Sequence, residues 1–283
     1  MKISALINAD SGSTPGDSES LLRAALEEMG LAADVQPVEP HQLRRAVDSA
    51  LQTRPDALIM WGGDGSIACA LSASGPSGPP VLALPGGTMN LVHKRLHGDV
   101  SDWKAILQAT LANPVSRPFA AGCVGERQFY VAAMVGKVTN LAAPREAARR
   151  GELLKAAEMA VQADAMSVER RLTLLASHGE WRQAFNAVAA AIVVGAGQEP
   201  KLEVAAIDPN STLDWLAIAF DALIHGWREA ESIDLDETRT VQITDVEGLV
   251  VPATIDGEVL ELPSGATVTL KRHAANVLRA RPA

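Results

Sequence analysis

The chain has 283 residues, of which 47% are apolar and 21% charged, and its formal net charge is −9. Such a length suits two domains, the apolar share can fill their cores, and interspersed charge excludes an extended disordered chain. An acidic balance with no basic stripe excludes nucleic acid as the expected partner.

In chain order, "MKISALINAD" opens on a short apolar run that reads as a first strand. It lacks the long apolar core and cleavage site of a signal peptide. "SESLLRAALEEMG" (18–30) reads as a helix, with Ser18 as N-cap and Gly30 as its stop. "ADVQPV" (33–38) is a second strand and "PHQLRRAVDSALQT" (40–53) a second helix. "DALIMW" (56–61) is apolar throughout, as a strand buried on both faces should be. A helix follows from "SIACALSAS", then the strand "PVLALP" (80–85), then helical "NLVHKRLHG" and "DVSDWKAILQATLAN". Strands alternating with helices predict a parallel sheet covered on both faces, with ligands at the carboxyl ends of its strands.

The pattern changes near Pro118. "RQFYVAAMVG" (127–136) and 170–197 read as strands and turns, interrupted by one helix over 144–164. "DWLAIAF", "RTVQITDV", "LVVPATI", "EVLELP" and "ATVTLKR" then follow as short, closely spaced strands of an antiparallel sandwich. The expected organisation is an α/β nucleotide-binding domain over 1–118 and a β-sandwich domain over 119–272. No apolar run reaches the roughly 18 residues of a membrane-spanning helix. Cys69 and Cys123 lie in apolar surroundings and follow no zinc spacing, as expected of buried thiols in a cytoplasmic protein.

Three glycine-bearing segments fall at expected strand ends. In "WGGDGSI" (61–67), Gly62, Gly63 and Gly65 let backbone N–H groups approach an anion, and the helix start adds a positive dipole. Ser66 can cap that helix or bond a phosphate oxygen. Asp64 is the odd member: beside polyphosphate a carboxylate is repelled unless Mg²⁺ bridges the two. "LPGGTMN" (84–90) repeats the arrangement at the next strand end, with Thr88 and Asn90 as uncharged donors or helix caps. "INADSGS" (7–13) brings Asn8, Ser11 and Gly12 after the first strand. Far downstream, "TIDGEVLEL" (254–262) is a hairpin signal at Asp256-Gly257, and such a tip can aim Glu258 outward.

"GGDGS", "PGGTMN" and "DGE", in that order, resemble the diacylglycerol kinase catalytic-domain family, which includes bacterial lipid kinases and is related to sphingosine, ceramide and NAD kinases. "RQFYVAAMVGKVTNL" and "TLDWLAIAF" extend the likeness through most of the chain. The resemblance implies an active site in the cleft between the two domains, with 273–283 returning to the first. It implies transfer of the γ-phosphoryl group of ATP to a lipid hydroxyl at a membrane surface reached peripherally from the cytoplasm. The loop from Asn8 to Gly12, Gly62 to Ser66, and Thr88 would hold the nucleotide. Asp64 would meet Mg-ATP, Glu258 would be the general base, and Asp214 would match a structural Mg²⁺ position.

The first loop lacks the proline and basic residues usual in the family, Ser66 stands for the commoner threonine, and Leu91 stands where many members have aspartate. Two other readings stay open: a kinase of a soluble substrate such as NAD, and a non-catalytic lipid or nucleotide sensor. A homodimer also stays open. Membrane access is expected through Lys94 and Arg95, or through Arg145, Arg149 and Arg150.

Overall fold

The structure, a computed structural model, describes residues 1–136, 171–195, 199–207, 234–256 and 258–281. The expected helix over 144–164, the strand over 214–220, Asp214, and the arginines at 145, 149 and 150 lie outside these residues. The chain forms two units: Met1–Ala121 with Arg272–Ala283, and Gly122–Lys271.

The first unit alternates strand and helix: β1 (Ile3–Ile7), α1 (Ser18–Glu28), β2 (Ala33–Pro37), α2 (Leu43–Gln52), β3 (Ala57–Gly62), α3 (Asp64–Ser74), β4 (Val81–Pro85), α4 (Leu91–His97) and α5 (Trp103–Ala112). Its sheet runs in the order β2-β1-β3-β4, with parallel registers such as Ala5 opposite both Val35 and Ile59, and Ile59 opposite Leu82. Every residue of β1, β3 and β4 is buried, while β2, at the edge, buries only Val35. Central strands covered on both faces need unbroken apolar runs, and an edge strand does not. Leu22, Leu26, Val35, Ile59, Trp61, Leu84, Leu107 and Leu278 share one core, so the C-terminal strand contributes to it. α1 begins at Ser18 itself: Asp17 is the N-cap residue and offers no side-chain bond, which corrects Ser18 from cap to first helical residue.

The second unit is antiparallel. It contains β6 (Arg127–Phe129), β7 (Ala132–Gly136), β8 (Leu172–His178), β9 (Trp181–Ala187), β10 (Ala189–Val194), β11 (Leu202–Ile207), β12 (Asp234–Thr238), β13 (Thr240–Asp245), β14 (Val251–Ile255) and β15 (Glu258–Leu262). Two strands belong to both units: β5 (Pro114–Val124), and β16 (Ala266–Ala280). In β16, Thr269 pairs antiparallel with Thr240 of β13, and Val277 pairs parallel with Val81 of β4. One sheet of the second unit runs β16-β13-β8-β9, and the other β12-β11-β10-β7-β14-β15. Burial alternates residue by residue along β8, β13 and β14, the two-residue period of sheets with one covered face. Among the described residues no helix is long and apolar enough to cross a membrane.

Candidate active site

The carboxyl ends of β1, β3 and β4 carry three loops, and hydrogen bonds tie them into one assembly. Asn8 donates its backbone N–H to Trp61 O (2.9 Å) and its side-chain amide to Ser66 Oγ (2.9 Å). Gly63 N–H donates to Ser11 Oγ (3.1 Å). Gly86 N–H donates to Gly62 O (3.0 Å), and Ser13 binds the second loop twice, from N–H to Gly86 O (2.9 Å) and from Oγ to Gly87 O (2.8 Å). Beneath them the fully buried Trp61 donates Nε1–H to Pro85 O (2.9 Å), and its ring lies 4.4 Å from that of Trp103. The end of β3 is thereby fixed to the end of β4.

Two of the glycines explain how closely the loops meet. A Cβ on Gly86 would stand 2.9 Å from Gly62 Cα, and one on Gly87 would stand 2.7 Å from Gly63 Cα. Backbone packs on backbone here, and any side chain would force the loops apart. Gly65 differs: it is exposed, and a Cβ there would meet nothing within 4 Å. Gly63 is the N-cap residue of α3, so Asp64, Gly65 and Ser66 form its first turn. Their amides are those that a helix leaves without i−4 carbonyl partners, and the dipole adds partial positive charge. Ser66 therefore does not cap α3, and its hydroxyl accepts from Asn8 instead.

Asp64 is half-buried, and its Oδ1 accepts the N–H of Val92 (2.8 Å) in the first turn of α4. That turn has no acidic residue of its own, Leu91 standing at its head. The carboxylate thus ties the "GGDGS" loop to the helix that follows "PGGTMN". Asn90, at φ +51° and ψ +42°, is the N-cap residue of α4 but makes no side-chain cap bond. Its Oδ1 accepts Gly87 N–H (2.7 Å) and its Nδ2 donates to Gly87 O (2.8 Å), which closes the turn and leaves Thr88 exposed.

α4 also carries two stacked histidines, with ring centroids 4.9 Å apart. Burial, aided by His93 and Arg279, pushes the His97 pKa down to about 4, and its Nε2 is buried with no hydrogen-bond partner among the described residues. Arg95 lies over the Phe119 ring (4.3 Å) and donates to Ala120 O (3.0 Å), so this arginine is engaged within its own unit. Burial raises the pKa of both free thiols, Cys69 and Cys123.

In the second unit, β14 and β15 pair through Ile255 and Glu258, a two-residue turn. Asp256 has φ +43°, as a left-handed hairpin turn requires. Its carboxylate accepts three consecutive N–H groups: Tyr130 (2.7 Å) at Oδ2, then Val131 and Ala132 (3.1 Å each) at Oδ1. Beyond the turn the Glu258 side chain is 75% exposed and accepts from Arg127 Nη1 (2.7 Å). Sequence reasoning saw Asp256 only as a turn residue and passed over Arg127 and Ser13. Asp-Gly is favoured at such a turn for backbone reasons, so no sequence signal marks this carboxylate as one with partners.

Residues 2–122 match the family model described as the diacylglycerol kinase catalytic domain. The first unit is thus similar to that catalytic domain, and the class so indicated is a kinase with an alcohol group as acceptor. Nearly the whole chain shares its fold with solved structures from Bacillus anthracis strain Sterne. One is of a provisionally assigned diacylglycerol kinase (14% identity, TM-score 0.71, covering 98% of this chain and 96% of that one). Another is of a diacylglycerol kinase (15% identity, TM-score 0.68, with the same 98% and 96% coverage).

Proposed function

We propose that the protein is an ATP- and Mg²⁺-dependent lipid kinase that transfers the γ-phosphoryl group to a hydroxyl of diacylglycerol or a related lipid. One observation carries this reading: three loops from adjacent parallel strands are bonded into one assembly, with the first-turn amides of α3 and the Asp64 carboxylate side by side. Amides and a helix dipole suit phosphate, whereas a carboxylate beside phosphate calls for a cation between them. Among the described residues no three His, Cys, Asp or Glu side chains cluster as a metal cage. A Mg²⁺ at Asp64 would therefore take its other ligands from phosphate and water, as this ion commonly does. Asn8, Ser11, Gly12, Gly62, Gly63, Gly65, Ser66, Thr88 and Asn90 build or line the nucleotide site. Glu258 carries the general-base role, since an exposed carboxylate on a clamped hairpin can accept the proton of an attacking hydroxyl.

The test is phosphoryl transfer from γ-labelled ATP with Mg²⁺, offered diacylglycerol, a sphingoid base, ceramide and NAD in parallel. Label on a lipid hydroxyl, lost on chelation of Mg²⁺, is the expected result. Label on NAD alone would overturn the lipid assignment, and nucleotide binding without transfer to any acceptor would overturn the kinase.

A further inference from the structure

The loop between β13 and β14 has a property that neither nucleotide binding nor transfer accounts for. Three of the seven large apolar side chains exposed among the described residues fall within its five residues: Val246 (64%), Leu249 (41%) and Val250 (47%). Four of its backbone N–H groups, and that of Asp245 before them, are by contrast bonded within the protein. Asp245 N–H donates to Ser264 Oγ (3.0 Å), and Val246 N–H to Arg171 O (3.1 Å). Glu247 N–H (3.0 Å) and Leu249 N–H (3.1 Å) both donate to Asp245 Oδ1, and Gly248 N–H donates to Asp245 O (3.0 Å). Five consecutive amides are satisfied from within, around an Asp245 side chain that is itself buried. Gly248, at φ +76°, permits the turn.

A loop in water has no need to satisfy its own amides, because water does so. A loop that leaves water does need it, because an unpaired N–H is costly in an apolar medium. We infer that Val246–Val250 is a preformed tip that enters the surface of a lipid bilayer. This rests on the lipid-kinase reading only for its purpose, since the geometry of the tip stands without it.

Size argues for lipid over a second copy of the chain. At about 25 cal/mol per Å², burial values for Val and Leu correspond to roughly 60–120 Å² each, so three half-exposed side chains offer on the order of 150 Å². A stable protein interface takes about 800 Å² from each partner. A convex aliphatic tip far below that size can still sink among acyl chains, where no complementary surface is required. Net charge does not guide it: from Thr240 to Leu270 there is no lysine or arginine, and the exposed Arg171, whose carbonyl accepts Val246 N–H, is matched by the exposed Glu247 at the tip. The tip therefore belongs with neutral, zwitterionic lipid, unlike a basic face. β14 leads directly from it to the hairpin of Glu258, and its five residues make a spacer of about 17 Å.

The experiment is co-sedimentation of the full chain with phosphatidylcholine vesicles containing diacylglycerol, from about 0.1 to 1 M salt, where the Debye length falls from about 10 to 3 Å. The wild type is expected to bind equally at both salts. A variant combining Val246→Asp and Leu249→Asp is expected to bind at least tenfold more weakly with an unchanged thermal midpoint. Val246→Ser with Leu249→Ser, a milder pair, should lose part of the binding if the aspartates disturb folding. Equal binding by wild type and both variants, or binding that requires anionic lipid and disappears with salt, overturns the inference. So does a wild type that does not bind at all. Phosphorylation separates the two readings: the variants should lose turnover on vesicles and keep it on a water-dispersed short-chain diacylglycerol. Loop-dependent vesicle binding without phosphorylation of any lipid would sink the kinase reading and leave the tip standing.

Discussion

Both the loop assembly on β1, β3 and β4 and the β14–β15 hairpin build a carboxylate into a glycine-bearing turn, but they divide labour differently. In the hairpin, holding and the proposed chemistry fall to separate residues: Asp256 takes three N–H bonds, and Glu258, the proposed base, stands 75% exposed beyond it. In the loop assembly both tasks fall to Asp64 under the proposed function: it holds the first turn of α4 through Val92 N–H, and its carboxylate is the proposed contact of the cation. Substitutions in the hairpin should separate chemistry from stability, whereas those at Asp64 should mix them unless the hydrogen-bond acceptor is preserved.

The largest effect tests this difference at the carboxylates themselves. Asp64→Asn keeps an oxygen for Val92 N–H and removes the charge. Activity should fall by 10²-fold or more, with a thermal midpoint within a few degrees of wild type, because one hydrogen bond persists and only a cation contact is lost. Turnover near the wild-type rate would remove Mg²⁺ from Asp64. Glu258→Gln should slow transfer by about 10²–10⁴-fold, the usual worth of a general base, at nearly unchanged ATP affinity. Loss of ATP binding with surviving chemistry would contradict the base assignment.

Next comes Asp256→Asn, in which the acceptor Oδ2 becomes a donor facing the donor Tyr130 N–H in one of its two amide orientations, and the charge shared by three amides is lost. The expected cost is about 2–4 kcal/mol of stability, measured by denaturant unfolding, with activity falling through loss of the Glu258 position. An unchanged unfolding midpoint would mean that the clamp does not hold the hairpin.

The unit of the loop assembly carries a group that makes stability depend on pH. His97, on the helix whose first turn Asp64 holds, has its pKa lowered from 6.5 to about 4 by burial first and by His93 and Arg279 next. In the unfolded chain it binds a proton near pH 6.5, so between pH 6.5 and 4 the unfolded state holds more protons than the folded one. Stability is then complete above about pH 6.5 and declines as pH falls towards 4, by roughly 3 kcal/mol at 1.36 kcal/mol per pKa unit. His97→Gln should flatten that slope in urea unfolding series at stepped pH. Parallel slopes for the two proteins would place the acid sensitivity elsewhere.

The first unit was legible because its signals are local. Unbroken apolar runs such as "ALIMW" mark strands buried on both faces, and glycine-rich turns mark their ends. The three loops could be assigned to one sheet edge from alternation alone. How they are bonded was not legible, since bonds between residues as far apart as Ser13 and Gly87 depend on register and loop closure. For the same reason the close approach of Gly86 to Gly62 and of Gly87 to Gly63 was not legible. Asp256 hid behind its own turn signal, because Asp-Gly is favoured in hairpins for backbone reasons alone. The apolar tip at 246–250 was absorbed into the neighbouring strand readings, as a short run of Val and Leu has no period that separates a tip from a strand.

The smallest effect is the most selective between packing glycines and the open one. Gly65→Ala introduces a Cβ with nothing within 4 Å, on a helical residue where alanine is the better former. Stability should hold or rise by up to ~1 kcal/mol. Gly87→Ala, meeting Gly63 Cα at 2.7 Å, should lose stability under the same conditions. The informative measurement is nucleotide affinity of the Gly65 variant by titration calorimetry. If phosphate lies against the first turn of α3, the added methyl group occupies its approach, and affinity should weaken several-fold in a protein at least as stable as wild type. An unchanged Kd would place the phosphates away from this turn, while a loss of stability would show that Gly65, like Gly87, is a packing residue.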